Sequence, residues 1–106
     1  MSMIVLSHIL TNLEAVPLKQ QDGKDITLRD VVINALTQDD PRAQVNGDER
    51  FKRFQLALRV HSATETIDLS AEDVALIKRL VMNSPFFNIV AIGRAVDALE
   101  GRGVVH

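Results

Sequence analysis

Two short segments constrain this chain more than any others, because each can do little except start a helix. Thr27-Leu28-Arg29-Asp30 and Ser70-Ala71-Glu72-Asp73 both pair a hydroxyl residue with an acid three positions on. In that spacing the hydroxyl accepts from the N3 amide and the acid reaches back to the cap amide. Ile26 with Val31, and Leu69 with Val74, stand where a hydrophobic staple would clamp the entering chain. Beyond the first start, Leu28, Val31, Val32, Ala35 and Leu36 form one apolar stripe. Asp39-Asp40-Pro41 then predicts that this helix stops near Thr37, since a residue before proline avoids the helical region. Beyond the second start, Val74, Ile77, Leu80 and Val81 form the corresponding face. The two starts obey the same capping rules and differ in their flanks, so they are not an internal repeat.

Between them, after a polar loop over 38–47, Asn46 or Asp48 can cap another helix. Its acids, Asp48 and Glu49, come first and Arg59 comes late, as the helix dipole prefers. Phe51, Phe54 and Leu58 are its expected core face, and Thr64-Glu65-Thr66 breaks the pattern. The last helix is expected over 86–100, capped by Ser84 with Pro85 at its first position and stopped by Gly101, leaving 102–106 as a tail.

The N-terminal region is less decided. Met3-Ile4-Val5-Leu6 suits a strand, whereas Ile9, Leu10 and Leu13 keep helical spacing. From Ala15 the pattern alternates, with Val16 and Leu18 on one face, until Gln21-Asp22-Gly23-Lys24 supplies an Asp-Gly turn. A hairpin pairing 16–20 with 24–26 follows, with Gly23 at positive φ. The expected architecture is therefore mainly α (α+β): a four-helix domain with a small N-terminal β-hairpin. It forms one domain over 1–106, with the hairpin in 15–27 and the helical part in 28–101.

Composition narrows function by exclusion. At 106 residues one core is available, and burial at this size is incomplete enough that association would help. A formal net charge of −2 gives no general attraction to polyanions. The absence of cysteine removes disulfides, thiolate metal sites and thiol nucleophiles, and fits a cytoplasmic protein. No basic leader precedes the short apolar run at residues 3–6, and no stretch approaches the roughly 20 apolar residues of a membrane span.

Catalytic and ligand-binding motifs are not found. His8, His61 and His106 have no metal-ligand spacing, and His61 is expected at the edge of the core. Ser7, Ser62, Ser70 and Ser84 lack a nucleophile elbow. The acid pairs at 48–49 and 72–73 are explained by helix first turns, and Asp39-Asp40 by a turn. The glycines at 23, 47, 93, 101 and 103 make no phosphate loop. No catalytic, cofactor or metal residues are assigned, and a non-enzymatic protein is expected. The basic cluster Arg50, Lys52, Arg53 and Arg59 supplies candidate nucleic-acid contacts, although charge runs on helices are usually solvated faces. The last two helices could mimic a helix-turn-helix, but Asn88 and Arg94 offer little to read bases.

The last helix is unusually apolar, with only Asn88, Arg94 and Asp97 polar between positions 86 and 99. Its wheel assigns Ile89, Ile92, Val96 and Leu99 to the core. Ala91, Ala95 and Ala98 with Phe87 form a flat face, open to close approach by the first or second helix or by another subunit. Phe86 and Val90 fall on the side of Gly93, Arg94 and Asp97. Their burial would be worth roughly 1.5–3 kcal/mol each if something covered them, so these five residues are the candidate partner-binding set of a homo-oligomer.

Taken together, Asp25 to Leu36, Gly47 to Arg53 and Ile67 to Lys78 resemble small uncharacterised proteins encoded in tailed-phage and prophage genomes, over about residues 15–101. The resemblance carries no catalytic residues. It implies a phage accessory role in the host cytoplasm or the virion, either in virion assembly or in binding a protein partner. The alternative function is a small DNA-binding transcriptional regulator using the basic cluster or the last helix pair.

Overall fold

The computed structural model describes residues 2–38, 46–85 and 87–101. Among them the chain forms β1 (Ser2–Val5), α1 (Leu28–Thr37), α2 (Gly47–Ser62), β2 (Thr66–Leu69), α3 (Ala71–Met82) and α4 (Ile89–Leu99). The fold is mainly α, four helices with a small amount of antiparallel β structure at the N-terminal end.

The ambiguity of the first residues resolves as a strand. β1 pairs antiparallel with β2 in the register Ser2 to Leu69 and Val5 to Thr66. The alternation of Thr66-Ile67-Asp68-Leu69 puts Ile67 and Leu69 inside, and Ile4, opposite Ile67, is buried with them. This strand lies in the segment that breaks helical periodicity, which is the signal the helix-based pattern passes over.

The expected hairpin is present as a short ladder. Lys19 bridges Asp25, Gln20 N–H donates to the Lys24 carbonyl at 2.8 Å, and Gly23 turns at φ +87°. Val16 is exposed instead of facing inward, because only Leu18 and Ile26 reach the core. Three residues spaced eight apart close a ring. Leu10 N–H donates to the Ile26 carbonyl, Ile26 to Leu18 and Leu18 to Leu10, each at 2.9 Å.

That ring delivers the chain to the start of α1, where every orphan amide finds an acceptor. Leu28 N–H donates to the His8 carbonyl at 2.8 Å and Arg29 N–H to the Leu6 carbonyl at 3.1 Å. Asp30 N–H donates to Thr27 Oγ1 at 3.4 Å, and Thr27 N–H to Asp30 Oδ2 at 2.9 Å, completing the expected box. Replacing Thr27 by alanine is expected to cost about 1 kcal/mol. A urea titration would register this as a lower midpoint with an unchanged slope.

The predicted stripe of α1, Leu28, Val31, Val32, Ala35 and Leu36, is buried throughout. α1 packs against α2 and α3, α3 against α4, and α4 also touches α1 and β1. The Asp39-Asp40-Pro41 turn lies outside the described residues, as does the tail.

The second helix start is only half a box. Ser70 Oγ accepts from Asp73 N–H at 3.1 Å, but the Asp73 carboxylate turns to Lys52 and Arg59, each 3.7 Å away. Ile77 and Val81 are fully buried, while Val74 and Leu80 pack at the core edge.

α4 departs from its predicted start and from its predicted orientation. It begins at Ile89, capped by Asn88, whose Oδ1 accepts from Ala91 N–H at 2.9 Å. Ser84 does not cap it: it is buried in the turn after α3, its N–H donating to the Val81 carbonyl. The alanine face, Ala91, Ala95 and Ala98 with Leu99, is the buried one. Small side chains let α4 lie close on its neighbours, chiefly α3. Ile92 and Val96 are pushed to the edges, and Ile89, at the first helical position, is 87% exposed. Gly101, at φ +81°, ends the helix as expected, its N–H donating to the Ala98 carbonyl.

Candidate interaction surface

The largest departure from the sequence pattern lies on α2. Phe51, Phe54 and Leu58, the predicted core face, are 60%, 54% and 51% exposed. The face that α2 buries consists of Leu56, Ala57 and Val60. At 100° per residue these two sets point in nearly opposite directions, so α2 carries one apolar stripe into the core and a second, bulkier one straight out of it. Inside this domain α2 packs mainly against α1 along one side, and no described element packs across the other. His61 continues the outer face and is exposed, not at the core edge.

The outer stripe is ordered by its own contacts. The rings of Phe51 and Phe54 stack, with centroids 6.3 Å apart and planes 28° from parallel. Leu58 follows one turn later and borders a shallow groove lined by Lys52, Gln55, Leu56, Arg59 and Asp73. Exposed apolar residues scattered singly are ordinary, but aromatic anchors aligned on one helix are the composition of a contact surface.

The charges around α2 interleave by sign. Glu49 accepts from Arg53 at 3.3 Å on its own helix and from Arg79 of α3 at 2.8 Å. Arg53 is thereby drawn inward, its side chain only 11% exposed. Asp73 lies between Lys52 and Arg59, and Arg59 also donates to the Asp68 carbonyl at 3.2 Å. Arg50 has a partner of its own. The four basic residues therefore do not make one uncompensated positive patch. Such surface pairs are worth about 0–1 kcal/mol each, and here they chiefly hold α2 and α3 in register.

The set expected on the last helix is only partly displayed. Phe86 lies outside the described residues. Val90 is half-buried, and Arg94 turns inward, donating to the Asn12 carbonyl at 3.0 Å and tying α4 to the turn at 12–16. Asp97 is half-buried with a partner. Gly93 is exposed, and a methyl group there would touch nothing within 4 Å. The exposed apolar residue of α4 is Ile89, which the wheel assigns to the core.

Among the described residues no group of three or more histidines, cysteines or acids is placed to hold a metal ion. No described helix is long and apolar enough to cross a membrane. Comparison with known protein families, with curated proteins and with solved structures finds no match.

Proposed function

We propose that this chain works without catalysing a reaction, by binding a protein through the outer face of α2. One observation carries the reading: Phe51, Phe54 and Leu58 stand on one face, directly opposite the buried face of the same helix, and more than half of each is exposed. Because each is already about half covered, covering the rest would contribute about half of the roughly 1.5–3 kcal/mol that full burial is worth, and stacked aromatics at the centre of a patch are the usual energetic anchors of an interface. The surface proposed here thus sits on α2, not on the Val90 side of the last helix. The pairing of Lys52 and Arg59 with Asp73, and of Arg53 with Glu49, weighs against duplex DNA as the partner. A contact protein is compatible with the accessory role implied by the resemblance to phage-encoded proteins.

The reading is tested with the double variant Phe51→Ser/Leu58→Ser. Both side chains are exposed, so the melting temperature should stay close to that of the parent. Self-association or capture of a protein partner should fall strongly. A folded double variant that keeps both its solution mass and its bound proteins would rule out α2 as the contact surface.

A further inference from the structure

We infer that the open edge of β1 pairs with the same edge of a second copy of this chain, the two strands running antiparallel about a two-fold axis at Ile4. This surface is separate from the outer face of α2 and does not depend on the function proposed for that face.

The register decides which main-chain groups of β1 face outward. Leu6 N–H donates to the Glu65 carbonyl at 2.7 Å, one step beyond the pair Val5 with Thr66. Bonded and unbonded pairs alternate along an antiparallel ladder. Ile4 with Ile67 is therefore a bonded pair, and Met3 and Val5 turn their N–H and C=O groups away from β2. Among the described residues those two N–H groups and the Met3 carbonyl have no partner, and the Val5 carbonyl accepts one long bond, 3.4 Å from the His8 nitrogen. The Met3 residue is 64% exposed.

A row of main-chain donors and acceptors is matched by another strand, so here hydrogen bonding names the kind of occupant. Edges are usually guarded against such pairing by charge or proline. The run Ser2-Met3-Ile4-Val5-Leu6 has neither. The far edge of β2 is guarded: Arg59 donates to the outward Asp68 carbonyl at 3.2 Å, and Glu65 and Asp68 are exposed. One edge pairs and the other does not, so the assembly closes at two copies with a four-stranded sheet.

Symmetry fixes the direction. A two-fold at Ile4 sets Met3 opposite Val5 of the second copy, and Val5 opposite Met3. Both are outward-facing residues, so each pair exchanges two N–H···O=C bonds, and the reverse contact repeats as a two-fold interface requires. Ile4 meets its own copy in the unbonded pair between them, with both Ile4 side chains on the core side of the sheet. A symmetric parallel pair fails on the same chemistry. There Met3 would need the groups of residues 2 and 4 of the other strand, which already face β2.

β1 has four residues, and a contact this short falls below the roughly 800 Å² per partner of a standard interface. The dimer therefore exchanges with monomer and depends on concentration.

The test is sedimentation equilibrium of the full chain in a series reaching roughly 1 mM. The apparent mass should climb from 11.7 kDa toward twice that value and no further. Met3→Pro removes a donor that β2 does not use and places a ring on the open edge. It should weaken dimerisation about thirtyfold or more, through the loss of two of the four bonds, with the melting temperature little changed. A second measurement needs no variant. Amide exchange at Met3 and Val5 should slow about fivefold from dilute to concentrated protein, while the Ile4 amide, bonded to β2, stays protected throughout. Phe51→Ser/Leu58→Ser should leave the dimer intact.

A monomeric mass throughout the series overturns the inference, as does a mass that climbs past two copies. So does a folded Met3→Pro variant that dimerises like the parent, or exchange at Met3 and Val5 that ignores concentration. A dimer lost in Phe51→Ser/Leu58→Ser and kept in Met3→Pro would move self-association to α2 and also overturn it. Loss of a different bound protein in the double variant, with the β1 dimer kept, would support both the α2 reading and this one.

Discussion

Replacing Ile77 by alanine is expected to lower the stability of this domain by about 2–5 kcal/mol. Ile77 is fully buried in the middle of α3, the helix that packs against both α1 and α4. Removing most of its side chain loses the transfer free energy of the deleted carbons and leaves a space that three elements cannot all move to fill. The whole margin of a domain this size is on the order of 5–15 kcal/mol, so one substitution removes a large share of it. The melting temperature should drop by roughly 10–20 °C. In a urea titration followed by circular dichroism the midpoint should fall while the slope stays constant. A loss under about 1 kcal/mol, at the level of an exposed position, would mean that α3 is not the centre of the core.

Replacing Ala95 by leucine is the second large effect, expected to cost about 1–3 kcal/mol and more if α4 must lift away. Ala95 is fully buried on the face that lets α4 sit close to α3. A larger side chain there pushes two backbones apart and opens gaps elsewhere along the contact. The control is Ile89→Ser on the same helix, where the side chain is 87% exposed and the expected change is within about 0.5 kcal/mol. The two variants should be compared by denaturant midpoint. The opposite ranking, with Ile89→Ser costly and Ala95→Leu mild, would restore the orientation that side-chain size suggests and contradict the packing described above.

That contrast also marks how far the pattern of residues could be read. Where a helix carries one apolar stripe, its direction follows from periodicity. The five stripe residues of α1 are the five that are buried, and the caps at Thr27, Asn46 and Ser70 accept the expected amides. Where a helix carries two stripes, periodicity cannot rank them. On α2 the larger residues point outward and Leu56, Ala57 and Val60 point inward. On α4 the alanines are inside and Ile89 is outside. Side-chain size is a poor guide in such cases, because the depth of a contact depends on how closely the neighbouring backbone approaches. The β1–β2 pairing was hidden for a different reason. Its partners are separated by more than sixty residues, and a four-residue alternation has little weight unless a second strand lies beside it.

Helix starts and stops, the Asp-Gly turn and the left-handed glycine at 101 belong to local chemistry, satisfied by residues within a turn of one another, and so they are legible in the order of amino acids. The choice between competing apolar faces, the long-range strand pair and the inward turn of Arg94 toward Asn12 required neighbours distant in sequence. The candidate site falls in this second group. Phe51, Phe54 and Leu58 are core-like by composition, and they became a surface because α1 took the other side of α2, where Leu56, Ala57 and Val60 are buried.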